Sequence, residues 1–393
     1  MTFEEIYRQE WGQLVATLIR LTGDWQLAEE CAQEAFAAAL QRWPHDGVPD
    51  RPGAWLTTTA RNRAIDWLRR EAVGAQKLQE VAAMTHEQEP SYDVPDDRLR
   101  LMFTCCHPAL AIEARVALTL RTLAGLSTGD IARAFLVPET TMSKRLTRAK
   151  QKIQYAGIPY RVPPAHLLPE RTPAVLAVLY LLFNEGYSDV SRSLLTSEAI
   201  RLTRLLVQLM PDEPEASGLL ALMLLHDSRR ETRLAPDGAL VTLDEQDRTR
   251  WDHAQITEGT DVLESALRRG APGPYQVQAA VAACHATART ADDTDWPQIA
   301  ALYAQLPQTP VIALNRAVAI GMADGPAVGL RLVDELAAGP LTDYHLLPAT
   351  RADFLRRLSR HPEAAKAYRE ALALATTDAE RLYLQKRSLE VSG

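Results

Sequence analysis

Cysteine is scarce, with four residues in 393. That is too few for a disulfide-stapled scaffold, so packed cores must hold the fold. Long apolar runs are also missing. The longest, AVLAVLYLLF from Ala174 to Phe183, is about half of the roughly 20 residues a bilayer-spanning helix needs. The first residues, MTFEEIYRQEWGQL, are acidic and amphipathic, without the basic stretch before an apolar core that marks a secretory signal. A soluble, cytoplasmic protein with no membrane partner is expected. Alternating β-branched runs are few, while Ala and Leu abound within a hydrophobic content of 47%. Sheet architectures are thereby disfavoured, and an all-α chain of two or three domains is predicted. Signatures of catalysis are absent too. No GxSxG, Walker loop, HExxH or dinucleotide fingerprint occurs, so neither an enzyme nor a cofactor is expected. Cys105-Cys106-His107 lacks metal-ligand spacing, and Cys106 shares a helical stripe with Leu99, Met102 and Phe103. It reads as core, as does Cys284-His285, and no metal site is predicted.

Positive charge is in deficit overall, at a net −7, yet it is concentrated in one place. From Arg133 to Arg161 seven Lys/Arg face one acid, Glu139, a local charge of +6. Within GLSTGDIARAFLVPETTMSKRLTRAKQKI (Gly125–Ile153), Ser127 and Asp130 fit a helix-opening capping box. Pro138 ends that short helix and can open the next, because it donates no N–H and disfavours α geometry at Val137. Met142, Leu146, Ala149 and Ile153 recur at helical spacing as a core face. Thr141, Lys144, Arg145, Arg148 and Lys152 fall on another side. Two short helices with a basic second member read as a helix-turn-helix whose second helix enters a major groove. A phosphate backbone is the commonest reason for an acidic protein to keep such a patch.

Nearer the start, Thr22-Gly23-Asp24 breaks a helical zone, and PHDGVPDRPG (Pro44–Gly53) reads as a turn-rich loop. Leu27, Cys31, Ala35 and Phe36 make an apolar face, and Glu29, Glu30, Gln33 and Glu34 a polar, acidic one. In AWLTTTARNRAIDWLRR (Ala54–Arg70), Trp55, Ile65 and Leu68 read as core, while Arg61, Asn62, Arg63, Arg69 and Arg70 supply polar and basic groups. Aromatics among cations suit single-stranded DNA, although Trp43, Trp55 and Trp67 are better read as core, since tryptophans are mostly buried. From Glu80 to Asp97 there are six acids, two prolines and no Lys or Arg, the composition of a flexible linker.

In order and spacing, LTGDWQLAEECAQEAF, AWLTTTARNRAIDWLRR and the helix-turn-helix stretch resemble the two domains of an extracytoplasmic-function (group 4) sigma factor of bacterial RNA polymerase. The resemblance covers about the first 155 residues. LYLLFNEGYS, GLLALMLLHD and LDEQDRTRWD are similar to the subgroup with a long, tetratricopeptide-like C-terminal extension. The resemblance implies sigma domain 2 over 1–72, an acidic linker over 73–97, sigma domain 4 over 98–157 and the extension over 158–393. It implies core polymerase and promoter DNA as partners. Glu30, Gln33 and Glu34 would grip the polymerase clamp. Arg61, Asn62, Arg69 and Arg70, with the Pro44–Gly53 loop, would melt and hold the downstream element. Thr140, Thr141, Lys144, Arg145 and Arg148 would read the upstream element. Many family members have Thr-Val-Lys-Ser-Arg where this chain has Thr141-Met142-Ser143-Lys144-Arg145, so the cation is displaced by one residue.

The extension reads as paired helices. HPEAAKAYREALAL (His361–Leu374) carries small residues at Ala364 and Ala371 and an aromatic at Tyr368, and Gly325–Leu336 echoes it about 36 residues earlier. Glu198–Met210 and Pro214–Leu225 form a further expected pair. A period near 34 suggests tetratricopeptide-like repeats that offer a surface to a protein or peptide and control the sigma domains in cis. Asn184-Glu185 beside Tyr187 reads as a hydrogen-bonded junction. The second function class is a ligand- or partner-sensing helix-turn-helix regulator that works without polymerase. The Leu21–Arg70 segment argues against it, because an operator binder needs no clamp-binding helix.

Overall fold

The computed structural model describes residues 2–71, 96–135, 137–188, 193–270, 272–337 and 339–391. Among them the regular structure is helical, apart from one isolated bridge between Leu234 and Leu240. No helix among the described residues is long and apolar enough to cross a membrane. The chain divides into two compact units, 1–209 and 210–393.

The first unit opens with α1 (Phe3–Thr22), α2 (Trp25–Asp46) and α3 (Pro52–Glu71). Thr2 and Glu5 close a reciprocal capping box at the start of α1. Gly23, left-handed at φ 67, stops it. Asp24 then caps α2 by accepting from the Gln26 and Leu27 amides. Trp11, Leu14, Val15 and Leu18 of α1 meet Leu27, Cys31, Ala35 and Phe36 of α2 and Leu56, Ala60, Ala64 and Ile65 of α3, all buried. Phe3, Tyr7, Trp11 and Phe36 form an aromatic cluster with ring centroids 4.8–6.1 Å apart. Two expectations are corrected here. Pro44 sits inside the last turn of α2, so the loop narrows to residues 47–51. Buried Trp43 anchors that turn, and its carbonyl accepts from the Gly47 amide. Trp67 is 41% exposed rather than core, because the inward positions of α3 are taken by Leu56, Ala60, Ala64 and Ile65.

The expected linker at 73–97 lies outside the described residues except for Asp96 and Asp97, which cap and open α4 (Asp97–Cys105). Then come α5 (Ile112–Thr122), α6 (Thr128–Ala134) and α7 (Glu139–Tyr155). Ser127 Oγ accepts from the Asp130 amide at the start of α6, and Pro138 is the N-cap of α7. Met142, Leu146, Ala149 and Ile153 are buried, as their spacing required. Cys105 and Cys106 are buried core thiols beside Thr122 and Thr119. Burial pushes the Cys106 thiol up to about 12.

The helices α8 (Leu168–Ser188) and α9 (Ser193–Leu209) pair with each other, and α8 also packs on α4 and α5. Arg171 donates to the Phe103 carbonyl at 3.1 Å, and Arg201 to the Leu123 carbonyl at 3.3 Å. The expected pairing of Glu198–Met210 with Pro214–Leu225 is therefore corrected. The first partners α8, and the second, α10 (Pro214–Asp227), packs with α11 (His253–Leu267) and α12 (Pro274–Thr287) in the second unit.

From α12 onward each helix packs on the next: α13 (Trp296–Ala304), α14 (Pro310–Asp324), α15 (Pro326–Leu336), α16 (Leu346–Arg357), α17 (His361–Leu374) and α18 (Asp378–Glu390). Helices α14 and α15 cross at Gly321 and Gly329 under the Phe354 ring. A Cβ on either would collide with that ring. Ala364, Tyr368 and Ala371 are buried on α17. The loop between α10 and α11 is tied by side chains. Trp251 Nε1 donates to Thr232 Oγ1 at 2.9 Å, and Gln246 Nε2 donates to the Val241 carbonyl at 2.9 Å. Arg248 lies 4.6 Å over the Trp251 ring and donates to the His285 and Ala288 carbonyls at the end of α12. The same loop reaches the last helices. The Leu240 amide donates to the Ala379 carbonyl, Asp244 pairs with Arg357, and Glu245 pairs with Arg387.

Candidate nucleic-acid interface

The sequence of α7 separates two kinds of side chain by angle, and the structure keeps that separation. Its apolar stripe turns into the core. Thr140, Thr141, Lys144 and Arg148 are exposed, and Arg145 is half-buried with its guanidinium 5.8 Å over the Phe135 ring. Thr141, Lys144, Arg145, Arg148 and Lys152 line one side of a cavity of about 380 Å³, and Leu110, Ala111 and Ala114 close the other. No acid lines it. A concave surface with four cations and no counter-charge attracts polyanions, and Thr141 adds a hydroxyl that both donates and accepts.

On α3, Asn62, Arg69 and Arg70 are exposed, whereas Arg61 is half-buried and its Nη2 has no hydrogen-bond partner in the described residues. Arg63 pairs with Glu34 of α2 at 2.5 Å. Trp67 projects from the same helix between these cations, where a base could stack on it. The sequence reads it as core. Its neighbours Arg63 and Arg70, at four and three residues' distance, are the available signal.

Glu30, Gln33 and Glu34 form an exposed strip on α2, with Glu30 accepting from Gln26 Nε2 at 2.7 Å. Glu29 does not belong to that strip. It is 5% exposed, and its two oxygens accept from Arg121 Nε at 3.1 Å and Lys150 Nζ at 2.6 Å. Arg121 sits at the end of α5, and Lys150 two residues after Arg148 on α7. The first three helices and the next four are thus joined face to face. Tyr7 Oη donates to the Gly125 carbonyl at 3.1 Å, Trp11 Nε1 to the Arg121 carbonyl at 3.3 Å, and Tyr160 Oη to the Ala16 carbonyl at 2.8 Å. Arg20 pairs with Asp97 at 3.0 Å. Gly12 permits this approach, since a Cβ there would lie 2.8 Å from the Leu123 carbonyl oxygen. Burial raises the Tyr160 phenol well above its ordinary range and lifts Tyr7 to about 12, so both remain neutral donors.

Residues 6–73 match sigma-70 region 2, residues 100–153 match sigma-70 region 4, and residues 171–267 match a family of unknown function (DUF6596). The uncharacterized protein R00370 of Rhizobium meliloti (strain 1021) is 42% identical over 389 residues, covering 95% of this chain and 92% of its own. The ECF RNA polymerase sigma factor SigM of Bacillus subtilis (strain 168) is 28% identical over 160 residues, covering 39% of this chain and 94% of SigM. The probable ECF RNA polymerase sigma factor SigI of Mycobacterium tuberculosis (strain ATCC 25618 / H37Rv) is 28% identical over 167 residues, covering 40% of this chain and 57% of SigI. No solved structure matches the chain.

Proposed function

We propose, for a chain that belongs to the same family as R00370 and is a sigma factor of the extracytoplasmic-function type by its region 2 and region 4 domains, that it directs core RNA polymerase to specific promoters under the control of its own helical extension. The observation that carries this reading is the acid-free, cation-lined cavity on α7 of a protein whose net charge is −7. Thr140, Thr141, Lys144, Arg145 and Arg148 read the upstream element, with base-edge contacts supplying the specificity and phosphate contacts the register. Arg61, Asn62, Arg69 and Arg70 hold the melted strand downstream, and exposed Trp67 adds a stacking surface. Glu30, Gln33 and Glu34 grip the polymerase clamp from the neighbouring helix. The extension belongs to the tetratricopeptide-like kind and takes a protein or peptide partner. The sequential packing of α12 to α18 supports that reading, because such stacks expose long continuous surfaces. Control in cis is favoured by the docking of α8 on α4 and α5, which ties the residues after the recognition helix to the DNA-reading bundle. The test is transcription by sigma-free core polymerase on a genomic promoter library. Promoter-specific initiation on adding this protein is the expected result. A protein that binds DNA but never starts transcripts is a regulator of another kind.

A further inference from the structure

The loop between α10 and α11 is balanced in sequence and unbalanced in space. Residues 228–252 hold six acids and five arginines. Most of the acids are engaged away from those arginines. Asp244 and Glu245 pair with Arg357 and Arg387, while Asp237, Asp247 and Asp252 accept from backbone amides of their own turns. Arg248 turns onto the end of α12, where its Nη1 donates to the His285 and Ala288 carbonyls and its guanidinium lies 4.6 Å over the Trp251 ring. Those partners are neutral. The Nε–Nη2 edge of Arg248 makes no hydrogen bond with a described residue. That edge offers two parallel N–H groups, the geometry that grips an oxyanion. The His285 ring, on the residue whose carbonyl Arg248 holds, stands edge-on to Trp296 at 5.1 Å, and its nitrogens make no hydrogen bond with a described residue either. Arg229 comes in from the end of α10, its Nη2 3.3 Å from His226 Nδ1. Burial first, then the charges of Arg229 and Arg248, hold the His285 imidazole down to about 4, so it is neutral at pH 7 with one N–H to donate. Asp293 is the acid that offsets Arg248, and it accepts from the Thr290 hydroxyl.

We propose that Arg248, Arg229 and His285 form a binding site for a phosphate group, free in solution or carried on a small molecule. The site adds a ligand to the second unit and stands apart from the sigma-factor reading. A phosphate group brings up to two negative charges and three or four oxygens, enough to meet the Arg248 edge, the Arg229 guanidinium and the imidazole N–H together. A carboxylate brings one charge and two oxygens, too few for the three groups. All three side chains are half-buried rather than projecting. They therefore suit a small phosphate that settles among them more than the backbone of a duplex, which is met by extended surface cations.

The experiment follows thermal unfolding of the full chain at pH 7.5 with increasing inorganic phosphate, against sodium chloride at equal ionic strength. Phosphate should raise the unfolding midpoint and saturate, by about 3–6 °C at about ten times its dissociation constant. Glycerol phosphate separates the two sources. Tighter binding of the ester assigns the site to a small phosphorylated molecule, and tighter binding of inorganic phosphate assigns it to the free ion. Arg248→Lys keeps the charge and loses the two-pronged edge, so it should weaken phosphate about tenfold. His285→Gln should weaken it several-fold, and Arg250→Gln, at an exposed position two residues on, should leave it unchanged. Should Arg248→Lys melt early, calorimetric titration of phosphate in the cold makes the same comparison on folded protein. A rise that does not saturate, that chloride or acetate reproduces, or that Arg248→Lys and His285→Gln retain in full overturns the site. Equal stabilisation by duplex DNA of random sequence overturns its assignment to a small phosphate.

Discussion

Acid should unfold the extension through two histidines. His226 ends α10 with its Nδ1 3.3 Å from Arg229 Nη2. Burial first, then the charges of Arg229, Arg233 and His285, hold its pKa down to about 3. His285 on α12 packs edge-on against Trp296 at 5.1 Å, and burial with Arg229 and Arg248 lowers it to about 4. Both folded-state values lie below the ordinary 6.5, so the unfolded chain binds these protons more readily. The stability they contribute is complete above pH 6.5 and is lost as pH falls toward 4 and below. At pH 5 each forfeits at most about 2 kcal/mol, from 1.5 units at 1.36 kcal/mol per unit. Both rings keep some accessible surface, so about 2–4 kcal/mol for the pair is an upper range. For a unit of this size that corresponds to a fall in Tm of about 5–15 °C between pH 7.5 and pH 5.0. The assay is thermal unfolding of the full chain at both pH values, beside His226→Gln, which cannot titrate. Carboxylates contribute equally to both proteins, so the difference isolates the ring. The variant should lose about half of the part of the fall that the two rings contribute. An identical fall in both proteins, or none in the wild type, refutes the assignment.

Arg145→Ala should weaken promoter binding by about 1–3 kcal/mol and relax specificity at one base if the guanidinium reads a base edge, measured by competition with single-base promoter variants. A uniform loss across sequences would make it a phosphate contact, and no loss would sink the groove assignment. Glu34→Lys reverses a charge on the exposed strip, so it should impair pull-down of core polymerase while helical content is kept, and unchanged pull-down removes this residue from the clamp contact. Truncation after Leu209 should leave a soluble first unit whose promoter-dependent transcription differs several-fold from that of the full chain. Truncation after Pro164 should in addition lower the stability of the helix-turn-helix bundle, because it deletes the Arg171 and Arg201 bonds to the Phe103 and Leu123 carbonyls. Equal transcription by the full chain and the longer truncation would make the second unit a passive appendage.

Periodicity disclosed the helices and the core face of α7, because both are set by neighbours three and four residues away. What it could not disclose was set by distant partners. Glu29 reads as one of three acids on a polar face, and only the arrival of Arg121 and Lys150, more than 90 residues on, removes it from water. Pro44 reads as a helix stop, yet the turn it occupies is held from below by Trp43. Trp67 reads as core by composition, but the inward side of α3 was already filled by Leu56, Ala60, Ala64 and Ile65. The pairing of α9 with α8 rather than α10 depends on which apolar faces meet, a choice that helix spacing leaves open.

A row of helices in which each touches only its neighbours has a loose end, and such rows melt from that end inward, one unit at a time. Here the last helix is not loose. Ala379 and Arg387 of α18 are bonded to Leu240 and Glu245 in the loop that follows α10, the first helix of the unit, and Arg357 of α16 reaches Asp244 in the same loop. The row is closed into a loop by its own first connection. A closed row has no terminal member from which to fray, so amide exchange should show no gradient toward the C-terminus. Cutting the chain between Leu240 and Glu245 should restore one and turn a single unfolding step into a staged one.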